Sequence, residues 1–489
     1  MERNITKAAN SPQSVIIPLA LAQFVCSYAA SNMNVAIHDI AVDLGTTVIG
    51  VQTAITFFTL TMAALMIPGS KLTDIWGRKF CLMLGLIVYG LGALIAAFAP
   101  GLGVMIFGYS LLEGVGSALL IPPVYILVTV SFLELPARAK SFGIISAAAG
   151  VGAAAGPLLG GLITSTISWR ASFILQVLIV LYVIYLSRRI PDPGIQGAKP
   201  RFDLVGAILS AAGLFFVVLG ILQSSTYGWF TAKENFTIGN VVVIPQGGIS
   251  PVWLLVAIGA LFLLFFFLHI RSRERAGKEP LLSTRLFRNR ISNLGLVTQN
   301  VQWLTLQGSF FVISVFLQTV RGFSAIQTGL ILTPATIGIL LSSGVAGRLA
   351  KRYSQRTLIR AGFIATIGGT ILLLLLANAT SSIIYFIPGL LLIGLGVGVM
   401  LTSSVNVVQS SFPEKDQGEI SGLSRSVSNL GSSLGTAIAG SVLVSASVIG
   451  NRPFASALTT LVVIGLIGLA AALFLPASPA QAARPAAAT

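Results

Sequence analysis

One acidic residue lies where an acid is costly, and its position suggests proton chemistry. Of the 14 Asp and Glu residues, only Glu113 falls deep inside a long apolar segment. A charge at the bilayer centre costs roughly 2.5 to 3.5 kcal/mol, so a change of surroundings could load or release a proton there. Tyr109 lies one helical turn before it, and Gly116 and Ser117 lie one turn after it. We predict that Glu113 binds and releases a proton as part of the protein's function; the alternatives are a permanently protonated structural acid and a different helix register.

The other reactive residue types form no site in the sequence. Cys26 and Cys81 lie in or beside apolar segments without CxxC spacing, which predicts neither a disulfide framework nor a metal centre. His38 and His269 stand at segment ends without carboxylates at a ligand spacing. We therefore predict no catalytic residue, no metal and no cofactor, and we do not expect an enzyme.

The elements that must position Glu113 are membrane helices. With 55% hydrophobic residues and a mean hydropathy of +0.91, the chain has too little polar surface for a water-soluble globule of 489 residues. Apolar segments of about 20 residues, long enough to span a bilayer as helices, occur 14 times along the sequence. The predicted fold is an all-α polytopic membrane protein with 14 transmembrane helices, the first of them a retained helix and not a signal peptide.

The loop charges predict the orientation. If the N-terminus is cytoplasmic, only four of the 30 Lys and Arg residues fall in outer loops: Arg170, Lys233, Arg321 and Arg452. The remaining 26 then lie on the inner side, which is the positive-inside pattern. The net charge of +16 thus reflects topology, and because the bases are spread over many short loops we expect no nucleic-acid partner.

Two loop segments indicate an internal duplication. Residues 70–79 read SKLTDIWGRK and residues 347–356 read GRLAKRYSQR, which aligns Lys79 with Arg356. Each copy follows the second helix of a six-helix set, and repeats of this kind are typical of secondary transporters. We predict a six-helix bundle over 1–190, a linker with an additional helix pair over 191–290, and a second six-helix bundle over 291–489.

The first of these segments resembles the loop signature of the major facilitator superfamily, in particular its fourteen-helix drug:proton antiporter branch. The matching residues are Leu72, Asp74, Gly77, Arg78 and Lys79, whereas Ser70 and Ile75 depart from the signature. A carboxylate near a helix N-terminus is stabilised by the exposed N–H groups, and bases can pair across the seam between two halves. We predict a cytoplasmic latch formed by Asp74, Gly77, Arg78 and Lys79; the alternative is that these charges only set topology.

A second stretch bears on the direction of transport. GVGAAAGPLLGG at 150–161 resembles the antiporter motif of drug exporters, with Gly152, Gly156, Pro157, Gly160 and Gly161 in register. Small residues let helices approach closely, and a proline lets a membrane helix bend. The resemblance implies export by antiport, although a glycine-rich helix could also serve packing alone.

The resemblance is incomplete at two charged positions. Related exporters often carry an Asp in the first helix and an Arg in the fourth, where this chain has Ala29 and Ser110. Either coupling has moved to Glu113, or the protein does not use protons as its relatives do.

Polar stripes mark the expected cavity. The superfamily fold implies that the first and fourth helices of each half line it. The predicted cavity residues are Gln23, Ser27, Ser31, Asn34, Tyr109, Gln299, Asn300, Trp303, Gln307 and Asn406. A lining of neutral amides, aromatics and one acid suits a hydrophobic or amphipathic substrate better than a strongly anionic one, which would need embedded bases. The alternative for such amides is contact between helices.

The sequence thus predicts proton-coupled multidrug efflux by alternating access. The alternatives are export of a lipid or other endogenous amphiphile, and a non-transporting membrane sensor on the same fold. The expected partners are a small hydrophobic or amphipathic substrate, protons and membrane lipids, and we expect a monomer. The expected location is the bacterial inner membrane with both termini cytoplasmic.

In the long outer loop, 223–250, a VVVIP run could form a small hairpin.

Overall fold

A computed structural model describes residues 12–132, 135–191, 201–238, 241–412, 417–444 and 450–476. The helices are α1 (Pro12–Asn32), α2 (Ile37–Asp43), α3 (Val48–Trp76), α4 (Arg78–Ala97), α5 (Leu102–Met105), α6 (Gly114–Ser131), α7 (Leu135–Thr166), α8 (Trp169–Ser187), α9 (Leu204–Leu222), α10 (Ser224–Tyr227), α11 (Pro251–Arg275), α12 (Arg290–Val315), α13 (Ala325–Arg352), α14 (Gln355–Leu376), α15 (Ile387–Gln409), α16 (Gln417–Val444) and α17 (Asn451–Leu473). A π-helical turn, Ile106–Glu113, joins α5 to α6, and another, Phe316–Val320, extends α12.

Within this described part, 14 helical segments are long and apolar enough to cross a membrane, which confirms the predicted all-α polytopic fold.

Local sequence sets where several of these helices begin and end. The Thr47 side chain accepts a hydrogen bond from Gly50 N and caps α3. Gly77 has φ of 101°, a conformation that favours glycine, and it turns the chain from α3 into α4. Ser324 and Gln327 form a capping box at the start of α13.

The helices pack as two groups that meet along two seams. In the first group α1 packs on α7 and α8, and α4 packs on α6 and α8; in the second, α12 packs on α16 and α17, and α15 packs between α13 and α14. The groups meet where α3 packs on α16 and where α7 packs on α13. We call the end that carries Lys71 and Arg78 the basic end, and the opposite end, where α1 ends and α13 begins, the far end.

The two copies of the repeated loop make the same contact. Lys79 Nζ lies 3.1 Å from the carbonyl oxygen of Arg188 and 2.6 Å from that of Ile190, at the end of α8. Arg356 lies 3.2 Å from the carbonyl oxygen of Leu475, just beyond α17. A cation there satisfies carbonyls that a helix end leaves unpaired and opposes the negative end of the helix dipole.

The additional helix pair, α9 and α11, is tied to both groups. Helix α9 packs on α3 and α16, and α11 packs on α9. The side chains of Leu281, Leu282 and Leu286, after α11, are buried in a hydrophobic cluster with residues of α9, α11, α12 and α16. Asp203, which caps α9, accepts hydrogen bonds from Gly206 N and Leu281 N. The chain after α11 is therefore anchored at the basic end.

The only paired strands among the described residues lie in the loop between α10 and α11. Strands β1 (Phe236–Ile238) and β2 (Val241–Ile244) form an antiparallel hairpin, as the sequence predicts. The Trp253 indole donates a hydrogen bond to Trp229 O, which ties the loop to the start of α11.

Candidate functional site

Glu113 lies inside the first helix group and is fully buried. It ends the π-helical turn Ile106–Glu113, a distortion that often occurs at functional positions. Gly92 of α4 lets the turn approach, because a Cβ at Gly92 would lie 2.6 Å from Glu113 N. The carboxyl group interacts with the neighbouring Tyr89 hydroxyl, although among the described residues neither of its oxygens makes a hydrogen bond of good geometry. A buried and poorly solvated carboxyl group favours the neutral form.

The neighbours of Glu113 extend a polar cluster through this group. The Tyr89 hydroxyl donates to Gln176 Oε1 at 2.5 Å and lies 3.3 Å from Val25 O. Cys26 donates to the Ser117 hydroxyl at 3.6 Å. The cluster thus links α4, α6 and α8 to α1. Sequence analysis missed Tyr89 and Gln176, because only the crossing of α4 and α8 brings them together.

Tyr109 serves packing more than cavity lining. Its ring stacks on Phe58 with centroids 4.6 Å apart and meets the edge of Phe173, and its hydroxyl donates to Ala29 O. Ser110, at the position where relatives carry an arginine, donates to Ala54 O at 2.7 Å. Both residues hold α3 and α1 against the π-helical turn.

The predicted stripe on α1 divides between two surroundings. Ser27 and Ser31 lie against Gly152 and Gly156 of α7, so they serve helix packing. Gln23 is buried, and its Oε1 has no hydrogen-bond partner. Asn34 is also buried, and both polar atoms of its side chain lack partners. Among the described residues, the side-chain amides here that have an unpaired atom are those of Gln23 and Asn32 in α1 and of Asn34 in the 3₁₀ turn Met33–Val35 that follows it. The Gln23 Nε2 donates to the Ser27 hydroxyl at 3.3 Å, so only its Oε1 is unpaired.

The predicted stripe on α12 is largely used in contacts between helices. Gln299 donates to the Ser428 hydroxyl and accepts from the Ser424 hydroxyl of α16. Asn300 donates to Val427 O of the same helix. For these two residues the structure favours helix contact over substrate contact.

Trp303 and Gln307 continue the face of α12 that carries Asn300, towards the far end of the helix. Gln307 donates to Ala30 O of α1 at 3.1 Å, so this face meets the first helix group. Trp303, one turn before it, is partly exposed. Trp303 remains available to a ligand between the groups.

Asn406 lies away from the centre, contrary to its predicted cavity position. On α15, Ser404 faces α12 through its hydrogen bond with Gln302. Asn406 is exposed and shares the opposite face with Leu395 and Val399, which line an apolar groove of about 530 Å³ between α13 and α14. Residue spacing alone does not distinguish these two faces of α15.

Hydrogen bonds between the groups close the far end. Gln318 donates to Asn34 O at 3.1 Å and accepts from His38 N at 3.0 Å. Ser165 of α7 accepts from Ile326 N of α13 at 2.9 Å. The two groups are therefore in direct contact where α1 and α7 end.

The glycine motif of α7 packs on two helices. Gly160 lies against Asn32 of α1, while a Cβ at Gly161 would lie 2.6 Å from Ala325 O of α13. Likewise, a Cβ added at Gly329 of α13 would lie 2.3 Å from Pro157 O. At the basic end of the same helix, Gly143 faces open space. The tight glycine contacts between α7 and α13 thus lie in the far half of the seam.

At the basic end, the charged contact between the groups differs from the predicted latch. Lys71 Nζ of α3 lies 3.0 Å from Glu419 Oε1 of α16. Asp74 is exposed and has no ion pair among the described residues; it lies in the last turn of α3, shortly before α4 begins at Arg78. Lys71, not Arg78, makes the cross-group pair.

Further contacts along the α3–α16 seam were not predicted. Gln52, fully buried, donates to Thr436 O at 3.0 Å. Ser433 donates to Thr56 O, and Ser426 donates to Ala63 O. Polar residues in apolar segments are the only local signal for such positions, and that signal does not identify the partner.

Arg425 corrects the expectation that no base is embedded near the cavity. It lies within the spanning part of α16, and its guanidinium group lies 4.8 Å from the ring centroid of Tyr125 of α6 and contacts the Tyr125 hydroxyl. The charge count of the sequence placed Arg425 only among the bases of the inner side. Among the described residues, no three His, Cys, Asp or Glu side chains are grouped so that they could hold a metal ion.

Comparison with known proteins identifies the family. A family model described as Major Facilitator Superfamily matches residues 19–436. The chain is 28% identical to the puromycin resistance protein pur8 of Streptomyces alboniger, over 88% of this chain and 82% of that protein. It is 26% identical to the multidrug resistance protein Stp of Mycobacterium tuberculosis (88% and 75%) and 29% identical to the cephamycin export protein CmcT of Amycolatopsis lactamdurans (88% and 85%). This chain belongs to the Major Facilitator Superfamily of transporters.

Proposed function

We propose that the protein is a secondary transporter that exports hydrophobic or amphipathic compounds in exchange for protons. Membership of a transporter family and similarity to proteins named for drug resistance and antibiotic export support this proposal. The observation that carries the proton coupling is Glu113, a fully buried acid beside Tyr89 whose two oxygens make no hydrogen bond of good geometry with any described residue.

The proton step follows from the surroundings of Glu113. In the buried environment described above, the neutral acid is favoured because apolar surroundings penalise an ionised carboxylate. Release of the proton requires a conformation in which the carboxyl group becomes better solvated. Tyr89 and the π-helical turn are the elements that would change, because they lie directly beside it.

Alternating access would arise from movement of two bodies, 1–190 and 291–489, about the seams α3–α16 and α7–α13. The direct contacts of Gln318 and Gly161 at the far end support a state closed there. In our proposal Asp74, Gly77, Arg78 and Lys79 belong to the cytoplasmic latch at the basic end, and Lys71 supplies its ion pair between the two helix groups. The functional unit is a monomer in the bacterial inner membrane, with cytoplasmic termini and lipid around it.

Substrate contact is proposed at polar atoms that no protein group satisfies. Gln23 Oε1 and the Asn34 amide are buried without partners, and Trp303 offers a partly exposed aromatic face. Buried polar atoms normally have partners, so unpaired ones in a transport pathway are suited to a ligand. Amides and an aromatic ring suit compounds with a large apolar body and few polar groups.

The experiment is transport of the neutral dye N-phenyl-1-naphthylamine in proteoliposomes with an imposed pH gradient. The wild-type protein should accumulate the dye against its gradient. Glu113→Gln should retain dye exchange and lose gradient-driven accumulation, whereas Glu279→Gln, an exposed acid on the link after α11, should behave as wild type. Accumulation by Glu113→Gln at the wild-type rate would contradict proton coupling at this residue, and absence of dye exchange by the wild type would contradict export of such compounds.

A further inference from the structure

The four faces of α16 have distinct surroundings. Ser426 and Ser433 face α3, through their hydrogen bonds to Ala63 O and Thr56 O. Ser424 and Ser428 face α12, through Gln299. These contacts assign two faces of the helix from hydrogen bonds.

The third face of α16 meets the additional helix pair. Ile420 and Leu423 belong to the hydrophobic cluster that includes Ala207 of α9 and Phe266 of α11. Successive residues of an α-helix lie 100° apart around its axis, so these assignments leave one face of α16 without a partner helix. That face points away from the hydrophobic cluster and lies between α3 and α12. This fourth face therefore looks into the space between the two helix groups.

Arg425 occupies that fourth face, together with Asn429 and Ser432, which follow at i+4 and i+7. Across the space lies Tyr125 of α6, over whose ring the guanidinium group sits at 4.8 Å. Arg425 thus projects from the second group into contact with the first. It is partly exposed, as a residue lining a crevice would be.

Arg425 has no acidic partner within 4 Å among the residues that the structure describes. An arginine within a membrane-spanning segment is costly unless it is paired, and such residues commonly mark substrate pathways. Its contact with an aromatic ring compensates for only part of the lost hydration. Its Nη2 donates to the Tyr125 hydroxyl, and the other N–H donors of the planar fork are suited to a carboxylate, phosphate or sulfonate.

From this geometry we infer that Arg425 is a specificity residue that binds the anionic group of an acidic amphiphile, with the Tyr125 ring holding the guanidinium group in place when no substrate is bound. The inference rests on the proposed transport function and narrows its substrate class to compounds that combine an apolar body with a negative charge. The amide of Asn429, one turn after Arg425 on the same face, would serve a neutral polar group of the same ligand.

Two dyes with the same apolar body separate the charge from the rest of the ligand. 8-Anilinonaphthalene-1-sulfonate carries a sulfonate, and N-phenyl-1-naphthylamine is the neutral compound that lacks it. Equilibrium binding to the purified full chain would be measured by fluorescence for wild type, Arg425→Gln and Arg425→Lys. Arg271→Gln, which removes an exposed base of α11, is the charge-matched control.

We expect Arg425→Gln to weaken sulfonate binding by about tenfold or more, because a charge-assisted bidentate contact is lost. Binding of the neutral dye should change by less than about twofold on the same scale. Arg425→Lys should retain part of the sulfonate affinity, and Arg271→Gln should retain all of it. An equal loss for both dyes would assign Arg425 a packing role, and an unchanged sulfonate affinity would also overturn the inference.

A transport measurement with the same two dyes distinguishes failure of this inference from failure of the proposed function. If Arg425 only selects the anionic group, Arg425→Gln should still accumulate the neutral dye when a pH gradient is imposed. If the wild type moves neither dye, the proposed function fails, whereas the binding comparison still tests the role of Arg425.

Discussion

Lys71 of α3 and Glu419 of α16 join the two helix groups through an ion pair of 3.0 Å, and the second oxygen of Glu419 accepts a hydrogen bond from Ser283 N at 3.2 Å. One carboxylate therefore connects the first group, the second group and the chain that follows the additional helix pair. Because the anchored leucines hold that chain in place, α9 and α11 are mechanically coupled to the seam at the basic end.

Loss of this ion pair should loosen the basic end. Both side chains are partly exposed, so the pair contributes about 1 kcal/mol, and Lys71→Gln should raise the population with separated groups about fivefold. Spin labels at the exposed positions Trp76 and Arg290 would report the distance between the groups. Lys278→Gln, which removes an exposed base after α11, is the control and should leave the distances unchanged.

Exchange of the two charges provides a sharper test. Lys71→Glu combined with Glu419→Lys should restore the ion pair but not the hydrogen bond to Ser283 N, because a lysine cannot accept it. The restoration should therefore be incomplete. Complete recovery of the wild-type distances would show that Ser283 has no part in the contact.

The fold was predictable because hydropathy and segment length alone identify membrane helices. The hairpin at Val241–Ile244 was predictable for the same kind of local reason, since a β-branched run between turn residues favours a strand. Glu113 was identifiable because an acid in an apolar segment is rare. The surroundings of its carboxyl group were not predictable, because they depend on how α4, α1 and the π-helical turn meet.

The contacts between groups show why the rest was not predictable. Glu419 lies 348 positions from Lys71, so no local pattern relates them. Asp74, one turn after Lys71, matches the family signature, yet it is exposed and lacks an ion pair among the described residues. Likewise the sequence gives no sign of the surroundings of Arg425. Only the packing of α16 against α3 and α12 turns it towards the space between the groups.

The equivalent caps on α8 and α17 should contribute similar stability to the two groups. Lys79→Met and Arg356→Met each remove a cation from the end of a helix, which should cost about 0.5 to 1 kcal/mol. Thermal unfolding midpoints of the purified protein would measure the effect. Arg360→Met should add to Arg356→Met, because Arg360 donates to Ala472 O and Leu473 O at the same helix end. A loss confined to one of the two groups would argue against equivalent caps.

Asp203 should make the anchorage of the additional pair sensitive to acid. Burial alone would raise the pKa of the Asp203 carboxyl group, but hydrogen bonds from His269, Gly206 and Leu281 outweigh burial, so its pKa lies below its ordinary value. A group with a lowered folded pKa stabilises the protein above its unfolded pKa of about 3.9, and this stability is lost as the pH falls through the folded value.

Asp203→Asn should therefore lower stability by about 2 kcal/mol at neutral pH and flatten the loss of stability below about pH 4. Unfolding midpoints measured between neutral pH and pH 3 would test this. Glu279→Gln, an exposed acid on the same connection, should retain the wild-type acid profile. Parallel profiles for Asp203→Asn and wild type would assign the acid sensitivity to another group.

A methyl group at Gly161 should open the far end. A Cβ there would lie 2.6 Å from Ala325 O and 3.1 Å from Ala325 C, both of them backbone atoms that cannot rotate away. Gly161→Ala should therefore push α7 from α13 and favour a state in which the far ends are apart. Gly143→Ala is the matched control, since the same change on the same helix enters open space. Spin labels at the exposed position Ile167 and the partly exposed position Arg321 should show a longer distance only for Gly161→Ala, with both variants monodisperse. Identical distances and transport rates in the two variants would show that the α7–α13 contact does not control closure of the far end.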